Sequence, residues 1–148
     1  MSGTVFVDTN VLVYVRDRTD EDKQRRAAEW LAALWEARVG RLSVQVLQEY
    51  YAVMTRKLVP PRPHEEVRED VLALTAWRPT VVEPALLERA WDIEDRFRLS
   101  WWDALIVAAA LTSRCRYLLS EDFQDGLVID GLTIVNPFAH EPSVLIGG

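Results

Sequence analysis

Short apolar runs alternate along this chain with longer segments in which apolar residues recur at helical spacing. The first run, residues 4–7, is β-branched and aromatic without polar alternation, which is typical of a buried strand in a parallel sheet. Comparable runs predict further strands at residues 41–43, 80–82, 117–119, 127–129 and 132–135.

Between these runs, apolar residues at every third or fourth position predict helices over residues 21–38, 44–58, 64–77, 84–97 and 99–111. Thr19 or Asp20 can cap the first of them and Ser43 the second. Residues 11–15 are too few for more than one helical turn. The last helix is apolar on every side after its first turn, so we expect it to be buried.

Strands that alternate with helices predict an α/β fold with a mainly parallel central sheet and helices on both faces. The chain has 148 residues, 49% of them apolar, which suits a single domain. We expect that domain to span residues 1–138 and residues 139–148 to form a tail, loose from His140 onward.

Charge and cysteine content narrow the classes of function. The net charge of −6 has the wrong sign for binding nucleic acid by bulk electrostatics alone, so a polyanionic substrate would require a divalent cation or a basic partner. The single cysteine, Cys115, excludes a disulfide framework or a zinc cluster. Without a signal peptide or an apolar run near the ~18 residues of a membrane helix, we expect a cytoplasmic protein that does not enter membranes.

Two acidic residues directly follow predicted strands. Asp8 ends the first strand, and Asp122 lies just beyond the strand at residues 117–119. Because parallel strands end at the same edge of a sheet, both carboxylates are expected at the crevice where α/β folds bind ligands. Taken singly, each is equally well explained as a turn residue.

Two further acids lie on predicted helices. Glu49 borders the apolar face of its helix, although an acid at such a position is most often solvated or ion-paired. Asp103 ends the segment Ser100-Trp101-Trp102-Asp103, which matches a capping box, and taken alone this structural explanation is favoured.

Considered together, Asp8, Glu49, Asp103 and Asp122 predict a site for Mg²⁺ or Mn²⁺, because converging carboxylates repel one another without a cation. Such an ion suits phosphodiester hydrolysis. The supporting polar groups would be Thr9, Asn10 and Ser120.

Competing chemistries fit the sequence less well. A metal-free histidine pair is disfavoured because only His64 and His140 are available. A phosphoacceptor domain needs a lysine at a late strand end, and the only lysines are Lys23 and Lys57. A non-catalytic module that binds RNA or a partner, with the acids merely capping and turning, remains the main alternative.

Four segments carry a resemblance to a known family. They are residues 5–14 (VFVDTNVLVY), 43–51 (SVQVLQEYY), 100–106 (SWWDALI) and 118–123 (LLSEDF). In this order they resemble the PIN-domain family, specifically the VapC-type toxins of bacterial toxin–antitoxin modules. The pair Trp101-Trp102 departs mildly from the family, in which a tyrosine often precedes the tryptophan.

The resemblance implies an Mg²⁺- or Mn²⁺-dependent endoribonuclease. By it, Asp8, Glu49, Asp103 and Asp122 would be catalytic metal ligands, with Asn10 and Ser120 lining the site. It further implies a cognate antitoxin whose carboxyl-terminal segment covers the acids, and a homodimer.

Basic and aromatic residues suggest where RNA would lie. The basic residues near the first crossover can contact RNA or simply solvate a helix start; they are Arg16, Arg18, Lys23, Arg25 and Arg26. Trp30, Trp35 and Trp91 have the spacing of core residues, whereas Trp101 or Trp102 is expected nearer the site.

Overall fold

The computed structural model describes residues 3–146 as an α/β fold with one five-stranded sheet. The strands are β1 (Val5–Val7), β2 (Gly40–Arg41), β3 (Tyr117–Leu119), β4 (Val128–Ile129) and β5 (Leu132–Val135). Their order across the sheet is β2-β1-β3-β5-β4, and only the β4–β5 pair is antiparallel. The prediction of a mainly parallel sheet is therefore confirmed.

Residues 3–146 contain six α-helices, α1 to α6. In chain order they are Thr9–Arg16, Glu21–Ala37, Val44–Ala52, His64–Leu74, Pro84–Phe97 and Trp101–Thr112. A π-helical turn, Val53–Lys57, extends α3, and a 3₁₀ turn, Thr75–Trp77, extends α4. These extensions account for the longer helices predicted over 44–58 and 64–77.

Side-chain caps fix where three of these helices begin. Asp20, Ser43 and Ser100 each accept a hydrogen bond from a backbone N–H in the first turn that follows, at 3.1, 3.2 and 3.2 Å. Each bond satisfies a donor that has no partner within its helix. Because α3 carries Glu49 and α6 carries Asp103, these caps also set the position of two acids.

The segment after Asp8 is more ordered than its length predicts. Residues 11–15 were expected to form one turn, yet α1 has eight residues. Asp8 caps it by accepting the Thr9 N–H, and the apolar side chains of Val11 and Leu12 are buried. Tertiary packing therefore stabilises a helix that would be marginal in isolation.

The strand predicted at residues 80–82 is wrong. Thr80 forms a single parallel bridge with Ser43, while the side chains of Val81 and Val82 are exposed. Beyond Ser43 the neighbouring chain turns into α3, so no strand continues there for residues 81 and 82 to pair with. The apolar character of residues 80–82 could not show that they would lack a strand to pair with.

The tail expected to be loose from His140 packs onto the domain as far as residue 146. The His140 ring lies 2.7 Å from the Asp125 carboxylate, and the His140 carbonyl accepts hydrogen bonds from Arg26 and Trp30 at 2.9 and 3.0 Å. Leu145 is buried in the core. Residues 147 and 148, and residues 1 and 2 of the expected domain, lie outside the described part.

The core encloses the central strand and α6. All three residues of β1 are fully buried, and α6 is buried continuously from Ala104 to Leu111, as predicted. In the range 3–146 no helix combines the length and apolar character that crossing a bilayer requires. The register pairs Val7 with Leu119, so β1 and β3 end side by side.

Candidate active site

Asp8 and Ser120 meet at the carboxyl edge of the sheet, one residue beyond the paired strand ends. The Ser120 hydroxyl donates to Asp8 Oδ2 at 2.8 Å, and the Asp8 backbone N–H donates to the Leu119 carbonyl at 3.0 Å. Both side chains are buried. The parallel register therefore places the first acid and its closest polar partner in direct contact.

Asn10 links this pair to Asp122. Its side-chain amide donates to Asp122 Oδ2 at 3.0 Å and lies 3.3 Å from Asp8 Oδ2. The Asp122 backbone N–H donates to Ser120 Oγ at 3.1 Å. Four of the predicted site residues thus form one hydrogen-bonded cluster drawn from the ends of two strands and the first turn of α1.

The Asp8 carboxylate lies at the amino terminus of α1 but is strongly desolvated. The pKa of Asp8 is raised to about 7, mainly by burial and to a smaller extent by the negative charges of Asp122 and Glu49. The hydrogen bonds from Ser120 and from the Thr9 N–H, at 2.7 Å for the latter, lower this pKa and only partly offset the burial. When it is ionised, Asp8 is therefore a buried negative charge with no positively charged side chain among its hydrogen-bond partners.

Glu49 approaches the cluster from α3. Gln45, one helical turn earlier and buried, donates from its side-chain amide to Glu49 Oε1 at 2.7 Å. Glu49 is itself exposed, and its negative charge makes a small contribution to the raised pKa of Asp8. The sequence analysis missed Gln45, although the i, i+4 spacing on a predicted helix would have indicated it.

Asp103 approaches from the first turn of α6. Its backbone N–H donates to Ser100 Oγ at 3.2 Å, so the predicted cap is present. Burial raises the pKa of the half-buried Asp103 carboxyl, and the charge of Asp122 raises it further against a lowering contribution from Ser100. Asp103 therefore belongs to the capped first turn of α6 and also lies close enough to Asp122 for the charge of Asp122 to raise its pKa.

One further acid at the carboxyl edge of the sheet is already neutralised by a lysine. Glu121, between Ser120 and Asp122 in the chain, pairs with Lys23 through Nζ and Oε2 at 2.8 Å. The Lys23 ammonium also lies 5.0 Å from the Tyr14 ring centroid. This pair removes Glu121 from the set that would need an external cation.

We call Asp8, Glu49, Asp103 and Asp122 the acidic site. Its oxygen donors suit a hard divalent cation, and the buried hydroxyl of Thr9 has no hydrogen-bond partner. Among residues 3–146, no three acids, histidines or cysteines lie close enough together to form a ready-made metal cage. Mg²⁺ is compatible with this arrangement because it is commonly held by one or two carboxylates and retains several waters.

The basic residues near the first crossover are mostly neutralised. Arg16 pairs with Asp70 at 2.7 Å, and Lys23 pairs with Glu121. Arg25 pairs with Asp22 at 3.2 Å, and Arg26 with Glu29 at 3.4 Å. Only Arg18 of the five suggested RNA contacts forms no ion pair within the described residues, so the solvation alternative accounts better for this group.

The tryptophans divide differently from the expected pattern. Trp30 is fully buried, as predicted, but Trp35 and Trp91 are 42% and 52% exposed. Trp101 stacks on Trp91 with ring centroids 6.4 Å apart, and Trp102 is 64% exposed. Helical spacing identified the face of each helix but not how completely the neighbouring element covers it.

An apolar groove of about 480 Å³, the helical groove, lies between α1, α2, α3 and α4. Its walls include Leu12, Val15, Leu31 and Leu74, and its polar residues are tied together, since Tyr50 and Arg16 both donate to Asp70 at 2.7 Å. Three residues of α1, Leu12, Val15 and Arg16, line this groove, and Asp8 caps the amino terminus of the same helix.

Comparison with solved structures shows which proteins share this fold. A toxin–antitoxin complex from Klebsiella pneumoniae matches with a TM-score of 0.65 and 18% identity, covering 93% of this chain and 99% of the other. Mycobacterium tuberculosis VapC20, described as a sarcin–ricin loop cleaving toxin, matches with a TM-score of 0.58 and 22% identity, covering 78% and 87%. VapBC2 from Rickettsia felis, bound to a DNA fragment from their promoter, matches with a TM-score of 0.54 and 14% identity, covering 88% and 96%.

No curated protein matches the sequence significantly. A family model described as the PIN domain, however, matches residues 5–124, which include all four acids of the acidic site. The four motifs had predicted this family. The chain therefore belongs to the PIN domain family and has the fold of solved VapC toxins.

Proposed function

We propose that the protein is an endoribonuclease that requires Mg²⁺ or Mn²⁺ and acts as the toxin of a toxin–antitoxin pair. The observation that carries the proposal is the buried Asp8 carboxylate, whose pKa rises to about 7 while two further acids add negative charge. Such a group is costly unless a cation compensates it. Membership of the PIN domain family supports the same chemistry.

The acidic site would hold the ion through Asp8 and Asp122, which share hydrogen bonds with Asn10, together with Glu49 and Asp103. When bound, a divalent ion polarises the phosphoryl oxygen, lowers the pKa of water and stabilises the leaving oxygen. Ser120 and the Thr9 N–H keep the Asp8 carboxylate in one orientation, and Asn10 does the same for Asp122. Gln45 orients Glu49.

The proton of the attacking water needs an acceptor within the protein. Asp103 is our candidate, because its carboxyl is half-buried and this burial raises its pKa, which makes it a better proton acceptor than a fully solvated carboxylate. Its position on the first turn of α6 is fixed by the Ser100 cap.

We also propose an antitoxin partner with an apolar segment for the helical groove and a basic residue for the acidic site. The groove is apolar and is lined in part by α1, the helix that Asp8 caps, so we propose that one extended or helical segment reaches from the groove to the acids. Two of the structures with this fold are toxin–antitoxin or VapBC complexes. A homodimer in the cytoplasm stays a prediction.

Replacing Asp8 tests the enzymatic proposal. We expect Asp8→Asn to lower Mg²⁺- or Mn²⁺-dependent cleavage of total bacterial RNA by about a thousandfold or more, since the amide keeps the shape but loses the charge. Removing the buried charge should also raise the melting temperature in EDTA. Both are measured on purified protein by gel-resolved cleavage and by thermal unfolding.

Asp22→Asn is the matched control, because Asp22 is exposed on α2 and, within residues 3–146, forms an ion pair with Arg25 alone. It should cleave at the wild-type rate. Wild-type cleavage by Asp8→Asn, or equal cleavage in EDTA and in Mg²⁺, would reject the metal-dependent nuclease and leave the non-catalytic binding module as the better explanation.

A further inference from the structure

Three arginines line a second cavity. The arginine pocket, about 310 Å³, is lined by Trp35, Arg38, Arg41, Ala76, Trp77 and Arg78. Within residues 3–146 none of these arginines lies within 4.0 Å of a carboxylate, although the described part contains ten ion pairs. In a chain of net charge −6, a cavity with three uncompensated cations is unexpected.

Helix ends and one strand bring the arginines together. Arg38 ends α2 and Arg78 ends the 3₁₀ turn after α4, both in the left-handed conformation with φ of 60° and 56°. Arg41 lies on β2, where its guanidinium donates to the Gly40 carbonyl at 2.7 Å and to the Arg38 carbonyl at 3.5 Å. The bridge between Thr80 and Ser43 holds the segment after Arg78 beside this strand.

Gly40 allows a tryptophan to form one wall. A Cβ at Gly40 would lie 2.7 Å from ring atoms of Trp77, so only glycine lets the indole pack on β2. Trp77 in turn supports Trp35, with ring centroids 5.2 Å apart at 41°. Trp77 is buried, but Trp35 is 42% exposed and retains a free aromatic surface beside the cations.

The helix ends alone explain part of this arrangement. A cation at a helix carboxyl terminus is favourable, and Arg98 ends α5 in the same left-handed conformation, with φ of 54°. Arg38 and Arg78 differ from Arg98 because they share a cavity with a third arginine and an exposed tryptophan. Helix capping does not account for that convergence.

The pocket is separate from the acidic site. Gly40 pairs with Val5 at the first residue of β1, whereas Asp8 follows Val7 at the last. Two more arginines, Arg114 and Arg116, precede β3 at this amino end of the sheet, where the Arg116 N–H donates to the Thr4 carbonyl at 3.0 Å. The arginine pocket and the buried Asp8 carboxylate therefore lie toward opposite ends of the central strand β1.

We propose that the arginine pocket binds one nucleotide of a single-stranded RNA, with a base on Trp35 and phosphate on Arg38, Arg41 and Arg78. Arginine forks match phosphate oxygens, and aromatic side chains stack on bases of any sequence. The cavity volume lies at the lower end of small-ligand sites, about 300–1,000 Å³. The choice of RNA rests on the proposed function; the phosphate and base chemistry rests on the pocket.

Binding without cleavage tests the pocket directly. The probe is a fluorescein-labelled single-stranded RNA of twelve nucleotides without self-complementarity, titrated in EDTA and followed by anisotropy at several salt concentrations. We expect the double variant Arg38→Gln/Arg78→Gln to bind at least tenfold more weakly. Its salt slope should be shallower by roughly 1.4, because each lost phosphate contact on a single strand contributes about 0.7.

Two further variants separate charge from stacking. Arg98→Gln, which removes an exposed arginine from an equivalent helix end, should bind within twofold of the wild type. Trp35→Leu should weaken binding at least fivefold without changing the salt slope, because it removes the stacking surface and keeps the arginines. Thermal unfolding verifies that each variant is folded.

Equal RNA affinity of the wild type and the double arginine variant would overturn the proposal, as would displacement of the RNA by polyglutamate of equal charge. The proposed function fails separately. If the wild type binds RNA at this pocket but does not cleave total RNA in Mg²⁺ or Mn²⁺, the nuclease is wrong and the pocket stands. If cleavage occurs with unchanged KM in the double variant, the pocket is wrong and the nuclease stands.

Discussion

The acidic site and the arginine pocket each bring together side chains of like charge, but they differ in how these side chains are held and how far water reaches them. At the carboxyl end of β1, Asp8 is 5% exposed and is held by hydrogen bonds from Ser120 and the Thr9 N–H. At the amino end, Arg38 and Arg78 are exposed on helix termini and are held by backbone conformation. Asp8 is thus desolvated and held in place, whereas Glu49 and Asp122, like these two arginines, are exposed to water.

This difference determines how much electrostatic free energy each region stores. Water screens repulsion between exposed arginines, but it screens a buried carboxylate much less. The acidic site should therefore dominate the pH dependence and the catalytic effects, while the arginine pocket should affect affinity. Four measurements test this difference between the two regions.

The largest effect should be on stability as a function of pH. Because the pKa of Asp8 is raised from 3.8 to about 7, the folded protein keeps a proton that the unfolded chain releases. This contribution to stability is fully present below about pH 4 and is lost as the pH rises through about 7, and it amounts to about 4 kcal/mol. Urea unfolding in EDTA between pH 4 and 8 measures it.

Asp8→Asn should remove most of this pH dependence, and Asp22→Asn should retain it. A divalent ion should restore stability above pH 7, because it binds the ionised carboxylate. Parallel pH curves for the wild type and Asp8→Asn would show that Asp8 is not desolvated as its surroundings indicate.

The next largest effect should be the loss of activity in Asp103→Asn. We expect cleavage to fall at least a hundredfold, equivalent to about 2.7 kcal/mol in the activation free energy, because the amide neither holds the ion nor accepts a proton. RNA affinity in EDTA should not fall. Glu65→Gln, which removes an exposed acid from the first turn of α4, is the control. An active Asp103→Asn would restrict that residue to capping α6.

A smaller effect is expected when the wall of the arginine pocket is disturbed. Gly40→Ala introduces a Cβ about where the Trp77 ring lies, so it should lower the free energy of unfolding by about 2 kcal/mol. RNA affinity should fall in parallel, since Trp77 supports Trp35. Gly131→Ala offers a comparison in open space, although its positive φ adds strain. Unchanged unfolding of Gly40→Ala would show that the indole moves aside cheaply.

The smallest effect should follow Ser120→Ala. Loss of the hydroxyl removes a hydrogen bond that lowers the pKa of Asp8, so this pKa should rise and the acidic limb of the pH–rate profile should move upward. We expect about a tenfold drop in cleavage at pH 7, with partial recovery at pH 8.5. A uniform drop at every pH would indicate lost geometry instead of altered ionisation.

Local sequence predicted most of the fold because its signals act over a few residues. Helix α5 has the predicted bounds, β3 and β5 coincide with predicted strands, and Ser43 and Ser100 cap the helices that follow them. The failures share one cause. Residues 81 and 82 would form a strand only beside a neighbouring strand, and the tail after His140 is ordered by the surface on which it packs. Neither partner can be predicted from the residues adjacent in sequence.

For the candidate site, order along the chain sufficed to propose Asp8, Glu49, Asp103 and Asp122 and their polar neighbours. Their roles stay predictions until the variants above are measured. The contacts between these side chains could not be predicted from the sequence. The hydrogen bond from Gln45 to Glu49 and the ion pair of Lys23 with Glu121 both depend on side-chain packing. The neutralisation of Arg16, Arg25 and Arg26 by acids also depends on it, as does the convergence of three other arginines.

The alternation of strands and helices, the caps and the family could be predicted from the sequence, because backbone preferences, hydrophobic periodicity and short motifs are local properties. Which charges are compensated and which are not became known only from the folded structure. That outcome depends on distances between residues far apart in the chain and on how much water remains between them, and packing alone sets both.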